Sequence, residues 1–176
     1  RGNLDAVAVL GGCVRNGVGA AKDELAGLIL IRAAAACSVA SGLNKLGVLY
    51  EEGTLPEGQV DEAQAAQLYE QSAATGSALG LFYYGWALYH GVGVRQDETA
   101  GIGYWKRSAS RAPDEGSDES AYALWNEHIQ EQARAGLDRK EVPPDSWLEL
   151  AADLEHPPAV ADMARWKRAM RKGKRR

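Results

Sequence analysis

Chemistry in this chain would have to start from three histidines, two cysteines, a few acidic pairs and one cluster of aromatic rings. His90, His128 and His156 are far apart in sequence, and none stands in an H-x-x-x-H or H-E-x-x-H arrangement. No metal site is expected from that spacing. His90 falls at a helix end and reads as a surface residue. Cys13 and Cys37 lack metal-ligand spacing. They could face each other across a helix pair, as a disulfide or as two buried free thiols. The acidic pairs Glu51-Glu52 and Asp114-Glu115 could act as general acid and base, but they read as solvated charge. Gly91-Val92-Gly93-Val94 looks superficially like a phosphate loop. It follows a helix, lacks a third glycine and has a counterpart at Gly17-Val18-Gly19, so it reads as a structural stop. No catalytic residue and no cofactor are expected.

The aromatic cluster is Phe82, Tyr83, Tyr84, Trp86 and Tyr89. On one helix these five rings cannot all face a core. Tyr84 takes the core position. Tyr83, Trp86 and His90, at i, i+3 and i+7, share a different stripe. That stripe either packs on a neighbouring helix or forms an aromatic contact patch for a partner.

What positions these residues is a repeat. Leu10-Gly11, Leu46-Gly47 and Tyr84-Gly85 open equivalent segments, 36 and 38 residues apart. A period of this size marks a stacked array, in which function lies on a shared surface. Each unit reads as two helices, A and B. Leu10 with Val14, Leu46 with Tyr50, and Tyr84 with Leu88 form the apolar stripe of helix A. A glycine inside a helix costs about 1 kcal/mol relative to alanine, so Gly11, Gly47 and Gly85 imply close helix contact.

Helix A stops at Gly17-x-Gly19, Gly53 and Gly91-x-Gly93. The second unit carries a two-residue insertion in its loop, through Pro56 and Gly58. Helix B opens with Asp23-Glu24, Asp61-Glu62 and Asp97-Glu98, where Asp caps free amides and Glu favours the positive end of the dipole. Small and large residues then recur at fixed offsets. They are Gly27, Ala65 and Gly101, then Leu30-Ile31, Leu68-Tyr69 and Tyr104-Trp105, then Ala34-Ala35, Ser72-Ala73 and Ser108-Ala109.

These residues resemble the Sel-one-like repeat (SLR), a relative of the tetratricopeptide repeat. The second unit carries the resemblance best, through Ala40, Leu46-Gly47, Tyr50, Gly53, Asp61, Ala65, Leu68-Tyr69 and Ser72-Ala73-Ala74. The third matches at Gly85, Gly91-Val92-Gly93-Val94, Asp97 and Trp105. The first departs at Val14, where the pattern has Tyr, and at Ala20, where it has Val. The resemblance covers about residues 4–110. It implies an all-α fold, an α-solenoid of antiparallel helix pairs with a right-handed superhelix.

One helical-repeat domain over 1–176 is expected, with units at about 4–38, 39–76 and 77–112. A degenerate unit at 119–155 and a terminal helix at 158–172 follow. Arg111 to Ser120 reads as a loop. Asp145-Ser146-Trp147-Leu148-Glu149-Leu150-Ala151-Ala152 recovers the helix-B pattern. Met163, Trp166 and Met170 would face the preceding unit from the last helix.

Composition agrees with a folded protein, 45% hydrophobic and 25% charged. The most apolar segment, Leu25 to Ala40, is too short for a membrane span and reads as a buried helix. The formal net charge is −4. Residues 165–176 hold eight of the 20 basic residues and no acid, leaving twelve basic against 24 acidic groups elsewhere. An acidic body argues against nucleic-acid binding. The basic tail is either a solvated helix end, favoured by the dipole, or an anion-binding arm. The chain begins with Arg1, so a targeting signal could have been cut away. A bacterial periplasmic or cytoplasmic location is expected, the periplasm being favoured.

The resemblance implies a scaffold or adaptor that binds a protein partner on its concave face. The stripe that would line that face comprises Asn16, Lys45, Val48, Glu52, Tyr83, Trp86 and His90. The family also includes bacterial immunity proteins that silence a toxic effector, and that is the alternative. Envelope or signalling proteins are the other expected partners. An enzyme such as a hydrolase would need a cluster of catalytic residues that the sequence does not show. The chain is expected to be a monomer.

Overall fold

The computed structural model describes residues 2–56, 58–135 and 144–173. The described residues are predominantly helical, and no strand occurs among them. The helices are α1 (Gly2–Asn16), α2 (Glu24–Ala36), α3 (Ala40–Glu51), α4 (Glu62–Ala74), α5 (Ala78–His90), α6 (Glu98–Ala109), α7 (Ser117–Arg134), α8 (Ser146–Asp153) and α9 (Pro157–Gly173). They form two compact units, residues 1–104 and 105–176.

In the first unit the helix pairs are α1–α2 and α3–α4, with α5 opening a third pair. The α2–α3 and α4–α5 contacts join one repeat to the next. The expected caps are present at each helix B. Asp23, Asp61 and Asp97 accept hydrogen bonds from the amides of Ala26, Gln64 and Ala100 at 2.8–2.9 Å. Each satisfies an amide that the helix cannot, which stabilises by about 1 kcal/mol.

The core centres on Leu28, Ile31, Ala35, Leu43, Leu46, Leu49 and Leu68, with Tyr50 packed against it. Gly47 shows why helix A carries a glycine. A Cβ there would stand 2.5 Å from the Tyr69 ring of α4. Gly93 is the other demanding position. Its φ is +68°, and a Cβ would run into the Glu62 carbonyl at the start of α4. The third connection is therefore docked on the repeat before it.

The loop after α3 does more than its sequence suggests. Leu55, within the inserted stretch, is only 6% exposed and joins the leucine core. The Arg15 guanidinium donates to the Thr54 carbonyl at 2.8 Å, tying the same loop to α1.

Burial departs from expectation at several points. Leu10 is 51% exposed. Its counterpart Leu46 is covered because α2 packs against α3, whereas the described residues bring no preceding helix to α1. Tyr84 and Leu88 are half-buried rather than buried. The apolar segment from Leu25 is buried on one face only, since Leu25 and Ile29 are 64% and 59% exposed. Their repeat counterparts Ala63, Gln67, Thr99 and Gly103 are exposed as well, so these positions face outward in every helix B. Both cysteines are free thiols. Cys13 is half-buried, but Cys37 is exposed at the end of α2, contrary to the expected burial.

In the second unit, the hydroxyls of Ser108 and Ser120 both donate to the Gly116 carbonyl, at 3.0 and 2.8 Å. All three residues are buried, and α7 starts at Ser117, so the polar loop is shorter than expected. Leu124, Trp125 and Ile129 of α7 and Leu148 and Ala151 of α8 supply buried side chains. Asp145 caps α8 by accepting from the amides of Trp147 and Leu148. Met163 of α9 is half-buried. The side chains of Trp166 and Met170, and residues Lys174, Arg175 and Arg176 of the basic tail, lie outside the described residues.

Candidate partner-binding face

Three helices of the first unit carry the candidate residues. Helix α3 touches both α1 and α5, so the three A helices lie side by side. The repeat register places Val9, Lys45 and Tyr83 in one row, Gly12, Val48 and Trp86 in the next, and Asn16, Glu52 and His90 in the third. Asn16, Glu52 and His90 are exposed, while Lys45, Val48, Tyr83 and Trp86 are half-buried. The Lys45 side chain lies beside α1. Its ammonium is 3.4 Å from where a Cβ on Gly12 would stand. The end of the lysine side chain, ammonium included, thus lies over Gly12 of the neighbouring repeat.

The aromatic stripe separates into two parts. Tyr83 stacks on Tyr69 of α4, with ring centroids 4.8 Å apart and planes 19° apart. Tyr69 is buried, and its hydroxyl donates to Glu51 Oε2 at 2.7 Å. Burial first, and then the Glu51 carboxylate, hold the Tyr69 phenol far above its ordinary pKa, so it remains a proton donor. Tyr83 is therefore anchored by packing between repeats. Trp86 instead lies over His90, centroids 4.7 Å apart, and Tyr89 meets the same imidazole at 5.0 Å. His90 ends α5 and is exposed, so this aromatic group borders solvent.

Tyr84 belongs to neither part. Its ring meets Tyr104 edge-on at 4.9 Å, and its hydroxyl donates to Glu70 at 3.1 Å. Burial, then the Glu70 hydrogen bond, pushes its pKa up to about 12. It joins α5 to α4 and α6 rather than filling a closed core.

Val9 and Gly12 complete the face and were absent from the sequence-derived stripe. Val9 is 53% exposed. The repeat register alone would have found both, by subtracting one period from Lys45 and Val48. The chemistry across the three helices is apolar and aromatic in the middle, with Asn16, Glu52 and His90 at one edge. No group of three or more His, Cys, Asp or Glu residues placed to hold a metal occurs among the described residues. No helix among them is long and apolar enough to cross a membrane.

Helix pairs with these caps, glycines and joints define an array of SLR type. The Sel1 repeat family model matches residues 4–39, 40–77, 78–112 and 146–156, more than half of the chain. The chain belongs to the Sel1 repeat family. The last match coincides with α8, where the helix-B pattern returns.

Solved structures of similar fold include two crystal structures. One is a Sel1 repeat protein from Oxalobacter formigenes, 21% identical, with 68% of this chain and 88% of that one covered and a TM-score of 0.57. The other is c5321, a protective antigen present in uropathogenic Escherichia coli strains, which displays an SLR fold. It is 25% identical, with 86% of this chain and 31% of that one covered and a TM-score of 0.64. This chain therefore spans less than a third of the length of c5321. A comparison with curated proteins gives no match. Sel1 repeats mediate protein–protein interaction, and proteins built from them are typically non-catalytic scaffolds.

Proposed function

We propose that this chain is a non-catalytic scaffold that binds one protein partner on the face of α1, α3 and α5. The observation that carries this reading is the contrast between two aromatics of α5. Tyr83 has a stacking partner in the array, whereas Trp86 is half-buried against an exposed histidine. A large ring with one side toward solvent is the usual anchor of an interface. Glu52, Asn16 and His90 then supply a polar rim, and Lys45 and Val48 the middle of the surface. The protein acts as a monomer, and its acidic body disfavours nucleic acid as the partner.

The test is affinity capture with the full chain and with a Trp86→Ala variant as parallel baits. Proteins held by the first and lost from the second are partners of this face. A toxic effector among them would make the chain an immunity protein, and an envelope or signalling protein would make it an adaptor. Identical sets of captured proteins from the two baits would place the binding surface elsewhere.

A further inference from the structure

Helix α9 of the second unit carries a charge pattern with no part in the face described above. It runs for 17 residues, whereas α8, joined to it by the turn at 154–156, has 8. At about 1.5 Å per residue, α8 can flank roughly the first half of α9. Burial follows that length. Ala159 is fully buried, and Asp162 and Met163 are half-buried. Beyond them Ala164, Arg165, Lys167 and Arg168 are all exposed.

The first half of α9 is braced against α7. Tyr122 stacks on His156, with ring centroids 4.6 Å apart, and its hydroxyl donates to Asp162 Oδ2 at 3.1 Å. Arg165 donates to Asp162 Oδ1 at 2.6 Å. Asp162 is the one acid in the sequence of α9, and it is already engaged. Past this brace the charge is of one sign, since residues 165–176 hold eight basic residues and no acid.

The helix dipole explains only part of that run. It favours cations within the last turn. Lys167 and Arg168 lie more than a turn before Gly173, the last residue of α9. The acids are segregated in the rest of the chain, so the cations of this half-helix are displayed rather than spread through an ion-pair network.

Two polyanions match such a surface, a nucleic-acid backbone and an anionic bilayer. The apolar residues of α9 decide between them. Val160 is 46% exposed, and Ala161 and Ala164 are exposed as well. In the sequence, Met163, Trp166 and Met170 recur at i, i+3 and i+7 among the cations. A phosphate backbone is bound chiefly through charge. A lipid interface takes up cations at its headgroups and apolar residues just below them. We propose that the basic half of α9 docks on an anionic lipid surface and so brings the scaffold to a membrane. The contact is peripheral, because no helix among the described residues is long and apolar enough to cross a bilayer. Acidic groups of the body more than about 8 Å from the headgroups are largely screened at physiological ionic strength.

The experiment is co-sedimentation of the full chain with two kinds of vesicle, at low and at high salt. One kind is phosphatidylcholine alone, and the other is phosphatidylcholine mixed with phosphatidylglycerol. The chain should pellet with the anionic vesicles and not with the zwitterionic ones, and high salt should release it. A variant carrying Lys167→Gln, Arg168→Gln, Arg171→Gln and Lys172→Gln loses four cations, each worth severalfold in binding. It should need at least about tenfold more anionic lipid for half-binding. Gln keeps the helix propensity of Lys and Arg, and a thermal melt checks that the variant is folded. A labelled DNA duplex at the same low salt is the second probe and should bind more weakly than the anionic vesicles. Equal binding of the wild-type chain to both kinds of vesicle, or to neither, would overturn the proposal whether or not the variant folds. A folded variant that binds anionic vesicles like wild type would also overturn it. Binding to the duplex with the anionic vesicles left unbound would assign the arm to nucleic acid instead.

Discussion

The Tyr83 ring lies flat on Tyr69, 4.8 Å centroid to centroid, and joins the third helix A to the second helix B. Beneath it, Tyr69 is held by Gly47 on one side and by the Glu51 carboxylate at its hydroxyl. One buried tyrosine thus fixes three helices, α3, α4 and α5. The same contact divides the aromatic stripe of α5 into a packing residue and a surface residue.

Replacing Tyr83 should therefore cost stability. Tyr83→Ala removes a stacked ring and leaves Tyr69 partly uncovered, at a cost of about 2–3 kcal/mol. Trp86→Ala should cost less than about 1 kcal/mol. Denaturant unfolding of the two variants measures the difference, and equal losses would mean that Trp86 is also a packing residue.

Gly47→Leu should destabilise by about 3 kcal/mol or more, because the Tyr69 ring occupies the space that even a Cβ needs. Gly58→Leu should be much milder. No heavy atom lies within 4 Å of its Cβ position, and only the strain of its φ of +65° remains. Thermal melts of both variants check the order. A Gly47→Leu protein as stable as wild type would show that the α3–α4 contact can open without loss.

Leu55→Ala should destabilise by about 2–4 kcal/mol, the cost of removing a buried leucine from a packed core. If the inserted loop were only a solvated connection, the loss would stay within about 0.5 kcal/mol. Equilibrium unfolding distinguishes the two values.

The helical array was legible because its signals are local. Asp23, Asp61 and Asp97 each cap an amide three residues away, and the glycines that stop helix A are fixed by their own backbone angles. Contacts between distant residues were not legible. Nothing in the loop around Leu55 reveals that it turns back into the core. Tyr83 and Tyr69 look like members of separate patterns until α5 is laid on α4. His156 appears isolated in sequence, yet it stacks on Tyr122, 34 residues earlier. Leu10 shows the converse limit, since the repeat pattern assigns it to an interface that α1 fills only when another helix covers it.

The central claim is that α1, α3 and α5 present a binding face anchored by Trp86. The most direct measurement is the dissociation constant of the purified Trp86→Ala protein for a captured partner, taken with its melting temperature. Binding should weaken by about 2 kcal/mol, roughly thirtyfold in Kd, while the melting temperature stays within a few degrees of wild type. A folded Trp86→Ala protein that binds its partner with wild-type affinity would contradict the claim.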